Sequence, residues 1–89
     1  MFELTGQTAL VTGSAKGIGK GIAKVLARAG ATVLIGDIDR ENGEKTAEEL
    51  KGEYCCLDVT SKQSIQEVIG KIAEKYGKLD IVCSNSGLS

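Results

Sequence analysis

Apolar residues change their spacing several times along the chain, and the changes mark out seven elements. Thr8-Ala-Leu-Val-Thr12 is a short apolar run closed by Gly13, the pattern of a buried strand. From Gly17 onward Ile18, Ile22, Val25, Leu26 and Ala29 recur at helical spacing, with Gly30 placed to stop the helix. Thr32-Val-Leu-Ile35 is rich in β-branched residues and predicts a second strand ending near Asp37. Arg40 to Lys51 reads as a polar helix with Ala47 and Leu50 inward, weakened at Gly43 by about 1 kcal/mol relative to alanine. Glu53 to Leu57 is a third strand leading into Asp58-Val59, and Ser61 suits the N-cap of the next helix. That helix carries the cleanest stripe: Ile65, Val68, Ile69, Ile72, Ala73 and Tyr76 on one side, Lys62, Glu67, Lys71 and Glu74 on the other. Gly77 ends it, and Leu79 to Ser84 is a fourth strand.

The predicted order is therefore β-α-β-α-β-α-β. Strands joined through helices of this length run parallel, with right-handed crossovers, and near-continuous apolar strands suit a sheet covered on both faces. Residues 1–89 are expected to form a single α/β domain with a doubly wound parallel sheet. Composition agrees: 42% hydrophobic and 26% charged residues are ordinary globular values, and a chain of 89 residues supports a modest core. A net charge of -1 gives no electrostatic reason to expect nucleic acid or an acidic membrane as partner. The chain has neither a long apolar stretch nor an N-terminal basic-then-apolar pattern, so a soluble cytoplasmic protein is expected. Three cysteines without a C-x-x-C pair, and no histidine, argue against a zinc site.

The chemistry concentrates between the first strand and the first helix, in Thr12-Gly13-Ser14-Ala15-Lys16-Gly17-Ile18-Gly19. Gly13 permits a tight turn, Gly17 lets the main chain approach an anion, and Gly19 lets the helix pack close to strand or ligand. The amides and positive dipole end of the helix then face phosphate. The triphosphate-binding loop needs glycine, four residues, then Gly-Lys-Ser/Thr. Here Gly19-Lys20 is followed by Gly21, and Ser14 stands where the first glycine belongs, so a dinucleotide is the better fit.

In a dinucleotide site a carboxylate at the end of the second strand accepts hydrogen bonds from the adenosine ribose. Asp37, eighteen residues beyond Gly19 and followed by Ile38, is favoured over Asp39. Its charge repels a 2′-phosphate and favours NAD. Lys16 pulls toward NADP, from a flexible stem. Asp58-Val59 and Asn85-Ser86-Gly87 end the third and fourth strands on the same edge, where Asp58 is expected to accept from the adenine amino group and Asn85 to brace the strands or contact the adenosine.

Together these residues resemble the classical short-chain dehydrogenase/reductase family. Its T-G-x-x-x-G-I-G motif matches Thr12 to Gly19, its second-strand acid matches Asp37, and its Asp-Val pair matches Asp58-Val59. Its Asn-Asn-Ala-Gly segment is Ser84-Asn85-Ser86-Gly87 here, departing at Ser84 and Ser86. The resemblance implies a Rossmann-type sheet of strand order 3-2-1-4, and a cofactor set of Gly13, Ser14, Lys16, Gly17, Ile18, Gly19, Asp37, Ile38, Asp58, Val59, Asn85 and Gly87. It also implies hydride transfer between a nicotinamide and an alcohol or carbonyl, with a Tyr-x-x-x-Lys pair as acid/base. Tyr54 is followed four residues on by Asp58 and Tyr76 by Asp80, so neither supplies that pair. The expectation is the cofactor-binding half of such an enzyme, inactive alone. The alternative is a free-standing nucleotide-binding module that self-associates through an exposed fourth-strand edge.

Overall fold

The structure, a computed structural model, describes residues 3–85. Its elements follow the chain as β1 (Thr8–Thr12), α1 (Gly17–Arg28), β2 (Thr32–Asp37), α2 (Arg40–Leu50), β3 (Glu53–Cys56), α3 (Lys62–Tyr76) and β4 (Ile81–Ser84). The four strands form one parallel sheet in the order β3-β2-β1-β4, the Rossmann-type order expected from the sequence.

Side chains alternate across the pleat. Leu10 and Leu34, partners in the β1–β2 register, face Val68 and Ile72 of α3 together with Leu57. Val11, Val33 and Ile35 face the opposite way, onto Ala23 of α1 and Ala47 of α2. Two apolar layers thus sandwich the sheet, which is why β1 is buried along its whole length.

The helices end where their chemistry changes. Ser61 caps α3 by accepting from the Ser64 amide, as the sequence predicts, and Asp39 caps α2 by accepting from the Asn42 amide. Gly77 closes α3 at φ 80°, while Lys51 closes α2 in the left-handed region at φ 57°, an unusual place for a residue with a Cβ.

Three readings of the pattern need correction. The predicted stripe of α1 is buried only in part: Ile22 and Leu26 pack against the sheet, but Ile18 and Val25 stay 77% and 63% exposed, and the buried residues of the helix are Gly19 and Ala23, with Ala27 beside them. Small residues let helix and sheet approach closely, so the contact face is centred on them rather than on the bulkiest side chains. Ile69 and Ala73 likewise lie on the exposed border of the α3 stripe. Gly43 is not simply a weak point in α2, because a Cβ there would sit 2.4 Å from Cε1 of Tyr54. Its missing side chain is the space the tyrosine ring occupies.

Candidate functional site

Parallel strands deliver their C-terminal ends to one edge. The pairs Thr12↔Gly36, Thr12↔Ser84 and Asp37↔Cys56 place the exits of all four strands side by side, and the β1–α1 loop rises in their middle.

That loop is held by a dense set of bonds. Gly13 and Gly17 turn it at φ 63° and 67°, conformations that side chains disfavour. The Gly13 amide donates to Gly36 O at 2.8 Å, and the carbonyl of Gly13 accepts from Asn85 Nδ2 at 3.3 Å. The Asn85 amide in turn donates to Thr12 Oγ1 at 3.0 Å, tying β4 to the loop. The Ser14 hydroxyl donates to Val11 O at 2.6 Å and the residue is fully buried, so Ser14 shapes the turn from inside. A Cβ on Gly19 would lie 2.1 Å from the Gly13 carbonyl oxygen, so only glycine lets the first turn of α1 rest on the turn below it.

The start of α1 differs from the other helix starts. Its N-cap residue, Lys16, makes no side-chain capping bond, whereas α2 and α3 have one, and no acid lies in its first turn. The positive end of the helix dipole is therefore left without a side-chain cap, and the nearest carboxylate, Asp37, bonds one residue before it at the Ala15 amide. Lys16 and Ile18 are exposed beside it.

Asp37 joins this loop to the end of β2. Its Oδ2 accepts from the Ala15 amide at 3.1 Å and its Oδ1 from the Asp39 amide at 3.0 Å. Each carboxylate oxygen has a second lone-pair direction, so both keep capacity for a vicinal diol. Asp39 carries the same number of bonds but turns to α2 instead of the loop: its carboxylate takes the Asn42 side-chain amide at 2.8 Å and the Asn42 main-chain amide at 3.2 Å, donors that hold its pKa below the usual carboxylate range. The structure thereby separates two aspartates that the sequence leaves close in role. Ile38 extends into solvent between them, 68% exposed.

The remaining predicted residues divide. Asp58 folds back on its own turn, its Oδ1 accepting from the Thr60 hydroxyl at 2.6 Å and the Thr60 amide at 3.0 Å, and these bonds lower its pKa. Val59 packs against the Leu10–Leu34 layer. Gly87 lies outside the described residues. Direct hydrogen bonds thus link Gly13, Asp37 and Asn85 to the loop, Lys16, Ile18 and Ile38 line its rim, and Asp58 and Val59 make their bonds and contacts elsewhere.

Two residues that shape this edge carry no sign in the motif. Thr46 of α2 is 1% exposed and donates through Oγ1 to Ala15 O at 2.7 Å. Its one sequence signal is its place on the same helical face as Gly43, Ala47 and Leu50. Tyr54 donates its hydroxyl to the Asp37 carbonyl at 2.6 Å, with the Arg40 guanidinium 5.3 Å from its ring centre. Burial leads the causes that push its pKa up to about 12, so the phenol keeps its proton. The other phenol, Tyr76, is also shifted upward, chiefly by burial, and donates to Glu53 at 2.9 Å. Neither acts as a proton acceptor near neutrality. Among the described residues there is no cluster suited to a metal ion, and no helix is long and apolar enough to cross a membrane.

A parallel sheet of this order, with a glycine loop opening onto a helix start and a carboxylate ending the neighbouring strand, defines a Rossmann-type nucleotide-binding protein. Its family follows from comparison: the short chain dehydrogenase family model matches residues 7–89, and the chain belongs to that family. The 3-oxoacyl-[acyl-carrier-protein] reductase FabG of Thermotoga maritima is 38% identical over 93 residues, an alignment covering 99% of this chain and 38% of the reductase. A 3-ketoacyl-(acyl-carrier-protein) reductase from Brucella melitensis, solved with NADH, superposes with TM-score 0.84 at 33% identity, over 90% of this chain and 34% of that one. A Brucella melitensis protein described as ribose-5-phosphate isomerase superposes at TM-score 0.92 and 32% identity, over 97% of this chain and 34% of that one. So the chain spans little more than a third of the length of these relatives, and their differing descriptions show why likeness of fold does not transfer an activity.

Proposed function

We propose that residues 1–89 act as one unit, the cofactor-binding part of a short-chain oxidoreductase, holding NAD through its ADP half. In this reading the pyrophosphate lies against Gly13 to Gly19, with Ser14 holding the turn beneath it and the Ile18 main chain beside it. The adenosine ribose bonds to Asp37, and the adenine lies between Ile38, Asp58-Val59 and the Asn85–Gly87 segment. The observation that carries the reading is the Asp37 Oδ2 bond to the Ala15 amide, which makes loop and carboxylate one site. A negative charge fixed there opposes a 2′-phosphate, which favours NAD over NADP despite exposed Lys16. The nicotinamide, when bound, supplies the hydride chemistry of the complete enzyme. This chain's residues hold and orient the dinucleotide, and with neither Tyr54 nor Tyr76 followed four residues on by a lysine the chain alone turns nothing over. The proposed setting is the cytoplasm.

The test is amide chemical shifts during titration with NAD, NADP and ADP-ribose. NAD and ADP-ribose are expected to move Gly13 to Gly19 and Asp37, and NADP to bind more weakly. No movement with any of the three overturns the reading.

One observation favours a second role. Among the described residues β4 pairs on one side only, with β1, and its Val82 is 56% exposed. Self-association through that edge is the second reading. Light scattering that finds a monomer at all concentrations rejects it.

A further inference from the structure

The peptide units on either side of Ala15 are gripped from two elements. The Ala15 amide donates to Asp37 Oδ2 at the end of β2, and the Ala15 carbonyl accepts from Thr46 Oγ1 on α2, 31 residues away in sequence. Thr46 is buried, and no buried side-chain polar atom among the described residues lacks a partner. A hydroxyl placed inside an otherwise apolar helix–sheet contact is there for this carbonyl.

The planarity of the peptide bond gives the contact its consequence. In a trans peptide the C=O of one residue and the N–H of the next point in opposite directions within one plane. The peptide bonds here are trans. Pinning the Ala15 carbonyl inward onto Thr46 therefore aims the Lys16 amide away from α2, at the uncapped helix start. Without the hydroxyl the carbonyl is left buried and unpaired, and the peptide gains by rotating toward water. The neighbouring Gly17, already at φ 67°, offers little resistance to that rotation.

We propose that Thr46 is a positioning residue for the anion-binding loop: its hydroxyl sets the orientation of the Ala15–Lys16 peptide and so the aim of the Lys16 amide. The proposal deepens the cofactor reading and rests on it for the identity of the anion. Thr46 touches no ligand itself.

The experiment compares the 89-residue chain with Thr46→Val, which keeps the shape and removes the donor, and Thr46→Ser, which keeps the donor and removes a methyl. Calorimetric titration with ADP-ribose is expected to weaken by about ten-fold in Thr46→Val, the scale of one lost bond to a buried carbonyl, and to recover to within about two-fold in Thr46→Ser. Amide hydrogen exchange without ligand is expected to show the change at Ala15 to Gly17, again reversed by serine. A structural role alone would track methyl loss and leave serine the worse variant. Should Thr46→Val fail to fold, Thr46→Cys, of similar volume with a weaker donor, takes its place. Unchanged ADP-ribose affinity and unchanged exchange in Thr46→Val overturn the proposal while leaving the cofactor reading intact. If the wild type binds no ADP-ribose, the cofactor reading falls, and exchange at Ala15 to Gly17 alone decides whether Thr46 orients the loop.

Discussion

Replacing Gly19 with alanine sets the close approach of α1 to the β1 turn against the usual gain from removing a glycine. The added Cβ would stand 2.1 Å from Gly13 O, 2.8 Å from Gly13 C and 2.8 Å from Asn85 Nδ2. A carbon–oxygen contact needs roughly 3.2 Å or more, so backbone must move by about 1 Å, because two of the three obstacles are main chain. Overpacking of this kind costs about 1–3 kcal/mol, and the Asn85–Gly13 bond, already 3.3 Å long, goes with it for about 1 kcal/mol more. Helix propensity returns about 1 kcal/mol. The net loss is on the order of 1–3 kcal/mol. Gly21, two residues on in the same helix, has nothing within 4 Å of a built Cβ, so Gly21→Ala collects the propensity gain of about 0.5–1 kcal/mol without opposition. The two variants should therefore separate by about 2–4 kcal/mol, on the order of 10–30 °C in thermal melts of a chain this size. Circular dichroism melts of both beside the wild type read this directly. If Gly19→Ala melts with or above the wild type, the close packing of helix start and turn is wrong.

Two other outcomes follow from individual contacts. Because the fold raises the Tyr54 pKa from 10 to about 12, it favours the neutral phenol. That contribution is complete below pH 10 and is lost as pH climbs toward 12, amounting to no more than about 3 kcal/mol. Tyr54→Phe should cost about 1 kcal/mol at pH 7 through the lost bond to Asp37 O and flatten the alkaline fall in stability, as measured by denaturant titrations across that range; parallel curves for the two proteins would refute it. Lys51 ends α2 at φ 57° with its side chain exposed, so Lys51→Gly should raise stability by about 0.5–1 kcal/mol, and an unchanged or lower Tm would count against strain at that cap.

How far the sequence carries depends on the range of the forces that write each feature. Strands β1 and β2 and helix α3 announce themselves because a buried strand and an amphipathic helix impose their period on neighbouring residues, and Ser61 and Gly77 mark the ends of α3 by local backbone chemistry. The face of α1 is legible only in part, at Gly19, Ile22 and Leu26, for a physical reason. Hydrophobic periodicity weights large side chains, but this helix docks through Gly19 and Ala23, whose value lies in what they omit. Gly43 misleads in the same way, since its partner, Tyr54, is on another element.

The site divides along the same line. Gly13, Gly17 and Asp37 are visible in the sequence because turn geometry and a charge at a strand end are properties of single positions. Thr46 and Tyr54 act only through contacts 31 and 17 residues away, which no local pattern encodes. Those contacts change what Asp37 is. In the sequence it is a carboxylate waiting for a ribose. In the folded chain its oxygens also accept the Ala15 and Asp39 amides, while Tyr54 fixes its carbonyl and Thr46 fixes the far side of the Ala15 residue. Charge at this position therefore supports the shape of the glycine loop as well as, in the proposed reading, offering acceptors to a sugar, and the two duties cannot be separated by altering Asp37 alone. Thr46 is where they come apart, because it reaches the loop and leaves the carboxylate untouched.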